Sequence, residues 1–135
     1  MPRYMLDTNI CIYLMKHQPP EVAERFARCY VGDVVISAIT LAELEYGVAC
    51  SARQQARNRK ALDAFLLEVP AAPFDGAAAA IYGPTRLATR DRQRDALDKL
   101  IASHALALGV TLVTNNVADF AAYPDLKVEN WVGGH

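Results

Sequence analysis

Cysteine is scarce in this sequence. Cys11, Cys29 and Cys50 lie far apart and are odd in number. They form no CxxC pair and no zinc-ligand spacing, which excludes a disulfide scaffold and a structural zinc site. Cys11 stands among Ile10, Ile12 and Leu14, where a buried thiol fits. Long hydrophobic runs are missing too, since no stretch reaches the ~20 apolar residues that span a bilayer. The opening Met1-Pro2-Arg3-Tyr4 leads straight to a short apolar segment and Asp7. It has neither the long apolar region nor the cleavage site of a secretory signal. The cytoplasm is the expected compartment. No charge sign is in excess: 14 Lys and Arg face 15 Asp and Glu, a net charge of -1. That excludes an indiscriminate cationic coat for nucleic acid and leaves room for an enzyme acting through a local site. There is no glycine-rich phosphate cradle, and Gly133-Gly134 reads as a terminal tail. No Ser-His-Asp or Cys-His arrangement is suggested. His104 is expected to be structural, and His17 and His135 exposed.

What is present fits one ordinary domain over residues 1–135, with 53% hydrophobic and 21% charged residues. Short apolar strands alternate with helices. Strands are expected at Tyr4–Leu6, Val34–Ile36, somewhere in Val69–Phe74 between prolines, Val110–Thr114 and Leu126–Val128. Helices are expected over Ile10–Met15, from Pro20 to about Tyr30, after Ser37 or Thr40, over Arg53–Leu67, from Asp75 to about Thr89 and from Asp95 or Leu97 to Leu108. Pro84 predicts a kink or an early break. Residues 86–95 read as an exposed turn, and Asn115-Asn116 as the start of a loop. This alternation predicts a three-layer α/β/α fold around a mostly parallel sheet of four to five short strands.

Four carboxylates fall where such a sheet presents chemistry. Asp7 ends the first strand, and Asp119 follows the loop after Val113-Thr114. Glu43 and Asp98 lie in early turns of helices. Ligands of open α/β sheets gather at the carboxyl ends of the strands. Clustered carboxylates repel unless protons or cations intervene, and Mg²⁺ or Mn²⁺ accepts such hard oxygen ligands. Taken singly, each acid is equally explained as a cap or a surface residue. Glu45 competes with Glu43, because the two flank the apolar stripe of Leu41, Leu44 and Val48, and periodicity does not choose between them.

The run Met5-Leu6-Asp7-Thr8-Asn9-Ile10-Cys11-Ile12-Tyr13 resembles the PIN-domain ribonucleases that act as VapC-type toxins of bacterial toxin–antitoxin pairs. The resemblance continues through 37–47, 98–105 and 112–120, and ends near Trp131. It implies that Asp7, Glu43, Asp98 and Asp119 hold one or two Mg²⁺ or Mn²⁺ ions, and it selects Glu43 over Glu45. It further implies metal-dependent hydrolysis of RNA phosphodiesters, leaving a 5′-phosphate and a 3′-hydroxyl. The N-terminal block is similar to the enteric subgroup that cuts initiator tRNA in the anticodon loop. The implied partners are a cognate antitoxin whose C-terminal segment occupies the active-site groove, a second copy in a homodimer, higher toxin–antitoxin complexes, and operator DNA through the antitoxin alone. Thr8, Thr40, Thr114 and Asn115 are expected to support the acids, or simply to cap and turn the chain. Arg86, Arg90, Arg92 and Arg94 are the expected contacts for RNA or antitoxin, with Lys99 nearby. Arg53, Arg57, Arg59 and Lys60 form a second basic group, read as solvated. The family usually carries a Gly-Arg-Pro-Ile-Gly segment shortly before the third acid. Here Arg90-Asp91-Arg92-Gln93-Arg94-Asp95-Ala96-Leu97 replaces it, which puts substrate choice or antitoxin fit in question. Asp95 is read as a solvent-facing cap or an extra metal- or RNA-facing acid. Ile12, Tyr13 and Phe26 are read as interface anchors or core. Two other functions remain open: a PIN nuclease of RNA processing outside a toxin pair, and a non-catalytic Mg²⁺-binding interaction domain.

Overall fold

Five strands, β1 (Tyr4–Leu6), β2 (Val34–Ser37), β3 (Ala71–Ala72), β4 (Thr111–Val113) and β5 (Val128–Glu129), form one sheet in the computed structural model. The structure describes residues 1–133; the expected exposure of His135 and the Gly134 end of the tail lie outside the described residues. The order is β3-β2-β1-β4-β5, and every neighbouring pair is parallel. Seven α-helices connect the strands among the described residues: α1 (Thr8–Lys16), α2 (Pro20–Ala27), α3 (Ala38–Ala49), α4 (Gln55–Glu68), α5 (Gly76–Ala88), α6 (Ala96–Leu108) and α7 (Val117–Phe120). Among them, no helix is long and apolar enough to cross a membrane.

The layers follow from strand alternation. Tyr4, Leu6, Val34, Ile36 and Val113 point to one face, where they meet Ile10, Leu14, Leu44, Val48, Leu62, Phe65 and Trp131. Met5, Val35 and Leu112 point to the other, against Ile101, Ala102, Ala105, Phe120 and Tyr123. The expected α/β/α sandwich is the observed one. Cys11 is fully buried in the first of these layers. Ile12, Tyr13 and Phe26 are half-buried against the same core.

Local chemistry sets most boundaries. The Asp7 carboxylate accepts from the Ile10 N–H at 3.0 Å, so α1 begins at Thr8, two residues before its apolar stripe. Ser37, not Thr40, caps α3 through the Ile39 N–H. Asp75 caps α5. That helix runs through the exposed Pro84 to Ala88, so the expected early break does not occur. Arg86 is therefore helical, and α2 stops at Ala27. Gly109 closes α6 in the left-handed region at φ 69°. The short α7 stands where a loop was expected.

The chain moves outward from β1 to β2 and β3, then returns to the other side of β1 as β4 and β5. The switch point therefore lies between β1 and β4. Leu6 pairs with Val113 in register, so Asp7 and Thr114 emerge side by side at the carboxyl ends of these strands.

Candidate active site

Asp7 is the fixed point of this mouth. It is 5% exposed, and its N–H donates to the Val113 carbonyl at 3.0 Å. One carboxylate oxygen accepts from Ile10, and the other accepts a short hydrogen bond from the Thr114 hydroxyl. Burial pushes the Asp7 carboxyl above its ordinary pKa, and the Thr114 and Ile10 donors oppose that shift. Thr114 also accepts from the Asn116 N–H at 3.0 Å, which shapes the turn into α7. Asn115 donates to the Tyr13 hydroxyl at 3.2 Å, while its buried Oδ1 lacks a partner.

Glu43 reaches the mouth from the second turn of α3. The Thr8 hydroxyl donates to Glu43 Oε1 at 2.9 Å, tying α1 to α3. Glu45 turns away and pairs with Arg59 of α4, which holds its carboxyl below the usual range. The geometry thus separates the two flanking acids that periodicity left equivalent. Thr40 is buried with no partner for its hydroxyl and does not hydrogen-bond Glu43.

Asp98 is half-buried on the first turn of α6. Its pKa is pushed up to about 6, first by burial and then by the charges of Asp119, Asp95, Glu43 and Asp7. This coupling ties all four predicted acids to one region of negative potential. Asp119 is exposed on α7. The acids do not form a closed cage: no group of three or more His, Cys, Asp or Glu among the described residues is placed to grip a metal ion. The donor set is all oxygen, with Asp98 raised by burial and then by same-sign neighbours, and this chemistry fits a hard divalent cation.

Three basic or acidic expectations need correction. Asp95 is neither a solvent-facing cap nor free for metal or RNA. It is 7% exposed and accepts from Lys99, from the Tyr123 hydroxyl at 2.6 Å and from Arg92 at 3.1 Å. Burial alone would raise its pKa, but those three donors lower it to about 2. Lys99 is 6% exposed and engaged by this acid, so it offers no steering charge at the surface. Arg92 is also committed inward, to Asp95 and to the Asp119 carbonyl at 2.9 Å. Arg86, Arg90 and Arg94 remain exposed. His104 is buried, bonded to the Ser37 hydroxyl at 2.8 Å, and lowered in pKa by burial. That is the structural place expected for it.

A groove of about 680 Å³ opens between α1, α3 and α4. It begins at Thr8 and Glu43, runs over Ile12, Leu44, Val48 and Leu62, and is rimmed by Lys16, His17 and Arg57. Sequence reading missed it, because its walls come from three separate helices.

The PIN-domain family model matches residues 4–126. The tRNA(fMet)-specific endonuclease VapC of Shigella flexneri is 38% identical over 133 residues, covering 97% of this chain and 99% of the relative. This chain belongs to the PIN-domain family, as a VapC-type ribonuclease toxin. The architecture agrees. The DNA-bound VapBC of Salmonella typhimurium superposes on this PIN domain with a TM-score of 0.88 at 35% identity, covering 97% of this chain and 99% of that one. VapBC2 of Rickettsia felis, bound to a promoter DNA fragment, gives 0.86 at 38% identity, covering 95% and 98%.

Proposed function

We propose that residues 1–135 form a single nuclease unit that hydrolyses RNA at the Asp7, Glu43, Asp98 and Asp119 mouth with Mg²⁺ or Mn²⁺. The observation that carries this reading is the Asp7 carboxylate fixed at the β1–β4 switch point, with Glu43 tied to the start of α1 beside it; the charges of Asp119, Glu43 and Asp7 reach Asp98 as well. Asp98 and Asp119 would hold the ion together with Asp7 and Glu43. When bound, such an ion supplies Lewis acidity toward the scissile phosphate and makes water nucleophilic near neutral pH.

The chain's own residues do the rest. Thr114 fixes the Asp7 carboxylate in one rotamer, and Thr8 does the same for Glu43. Asn115 holds the turn between β4 and α7 against Tyr13. Exposed Arg86, Arg90 and Arg94 attract the RNA backbone toward an otherwise acidic mouth. The products are a 5′-phosphate and a 3′-hydroxyl.

Initiator tRNA, cut in its anticodon loop, is the proposed substrate; the tRNA(fMet) specificity of the Shigella flexneri relative supports the choice of tRNA. A cognate antitoxin is the proposed inhibitor. The groove from Thr8 and Glu43 suits its C-terminal segment, since an amphipathic helix would lay apolar residues on Ile12 and Leu44 and carboxylates near Lys16 and Arg57. A homodimer, assembly with antitoxin into a larger complex, and operator binding through the antitoxin belong to the same proposal; the DNA-bound VapBC relatives support its antitoxin and DNA parts. The cytoplasm is the proposed site of action. Incubation with initiator tRNA, elongator methionine tRNA and Mg²⁺ tests the substrate. End-mapping should find one cut in the initiator anticodon loop; equal cleavage of both tRNAs refutes that choice.

A further inference from the structure

The segment leading into α6 is anchored by charge instead of by glycine. Asp95 lies at its centre with three donors, and each donor has a second contact. Lys99 Nζ also donates to the Arg92 carbonyl at 3.2 Å. The second arm of Arg92 donates to the Asp119 carbonyl at 2.9 Å. The Tyr123 ring lies under the Arg92 guanidinium, 5.7 Å from ring centre to carbon, and against Phe120. One buried carboxylate thereby connects the first turn of α6, which bears Asp98, to α7, which bears Asp119.

Charge compensation does not require this arrangement, because Lys99 alone would neutralise Asp95. Arg92 adds a link whose far end is the backbone of α7 at Asp119. Carboxylates on separate elements repel, so their spacing must be held by the backbone that carries them. Charge-assisted hydrogen bonds in a buried setting are strong enough to do so.

We propose that Asp95 is a positioning residue: with Arg92, Lys99 and Tyr123 it fixes the separation of Asp98 and Asp119 and thereby sets the affinity of the site for a divalent cation. This rests on the reading that Asp98 and Asp119 hold that cation. Asp95 itself is not a ligand, since its oxygens are taken by Lys99, Tyr123 and Arg92. Groups that orient ligands in this way typically change metal affinity by ~10-fold or more when altered.

The test is calorimetric titration of metal-free protein with Mn²⁺, alongside melting curves and steady-state cleavage. Arg92→Lys keeps the charge but cannot reach both Asp95 and the Asp119 carbonyl. Tyr123→Phe keeps the ring and removes only the hydroxyl. Mn²⁺ binding weakened by ~10-fold in either variant, with a native circular-dichroism spectrum and a fall in kcat at unchanged KM, supports the proposal. Wild-type Mn²⁺ affinity in both variants, whatever their melting temperatures, overturns it. Asp95→Asn should bind Mn²⁺ more weakly still; if it does not fold, the other two variants decide. Asp98→Ala tests the underlying reading separately, because wild-type Mn²⁺ binding there removes the metal assignment and the proposal with it.

Discussion

Thr114→Val replaces one hydroxyl by a methyl group of nearly the same volume at the centre of the mouth. The Thr114 hydroxyl donates to buried Asp7 and accepts from the Asn116 N–H. A hydrogen bond to a charged group is worth about 1.5–3 kcal/mol. The variant should therefore lose about 2 kcal/mol at pH 7. A chain of 135 residues has an unfolding entropy of about 0.28 kcal/mol/K. The melting temperature should fall by about 7 °C. The pH dependence is the sharper part. Burial already holds the Asp7 pKa above its unfolded value, and Thr114 opposes that rise. A raised folded pKa means stability that is present in acid and lost as pH rises through that pKa. Removing Thr114 raises the pKa further, so the variant should suffer more at pH 7 than at pH 4.5. Thr114→Ser keeps the donor and should lose only about 1 kcal/mol, for the deleted methyl group. Urea melts of the three proteins at both pH values measure this. Equal losses at the two pH values, or a loss from Thr114→Val no larger than from Thr114→Ser, refute the reasoning.

Further outcomes follow from the same geometry. Mn²⁺ affinity should rise with pH up to and just beyond the Asp98 pKa of about 6, because the ion competes with that proton; Asp98→Asn should flatten the profile in calorimetric titrations. The same proton stabilises the metal-free fold in acid, so Asp98's share of stability should disappear as pH rises through about 6. Glu43→Gln should depress cleavage strongly in a gel assay, whereas Glu45→Gln, which breaks only the Arg59 pair, should leave it at the wild-type rate. Arg94 holds φ 65° without being glycine; Arg94→Gly should not lower the melting temperature, and a clear drop would mean that its side chain holds the segment.

Most of the frame was legible because short apolar runs and capping side chains are local signals. Tyr4–Leu6 reads as a strand, and Asp7 as both strand end and cap, from their immediate neighbours. The sheet order was not written locally, although parallel pairing followed from the alternation of strands and helices. The short α7 was missed because Val117–Phe120 offers one turn with no side-chain cap. Pro84 misled for a related reason: the helix continues on the packing of α5 against α6, which no window of sequence reveals. At the site, residues spaced 35 and 107 apart meet in the Thr8–Glu43 and Asp7–Thr114 hydrogen bonds. Family resemblance supplied the choice of Glu43 over Glu45; residue spacing did not. Asp95 was misjudged because its partner Tyr123 lies 28 residues away, and burial of an acid depends on such a donor.

Cleavage of RNA at this acidic mouth through a divalent ion is open to a direct test. Asp98 is the best position at which to test it, since it is half-buried and, among the described residues, its carboxylate accepts no hydrogen bond that holds the fold. Purified wild type and Asp98→Asn should be compared on initiator tRNA with Mg²⁺, with and without chelator. Wild type should cleave with Mg²⁺, lose activity on chelation and regain it when Mg²⁺ is restored, and a folded Asp98→Asn should not cleave. Undiminished cleavage by Asp98→Asn, or by wild type in chelator, would contradict cleavage through a divalent ion at this mouth.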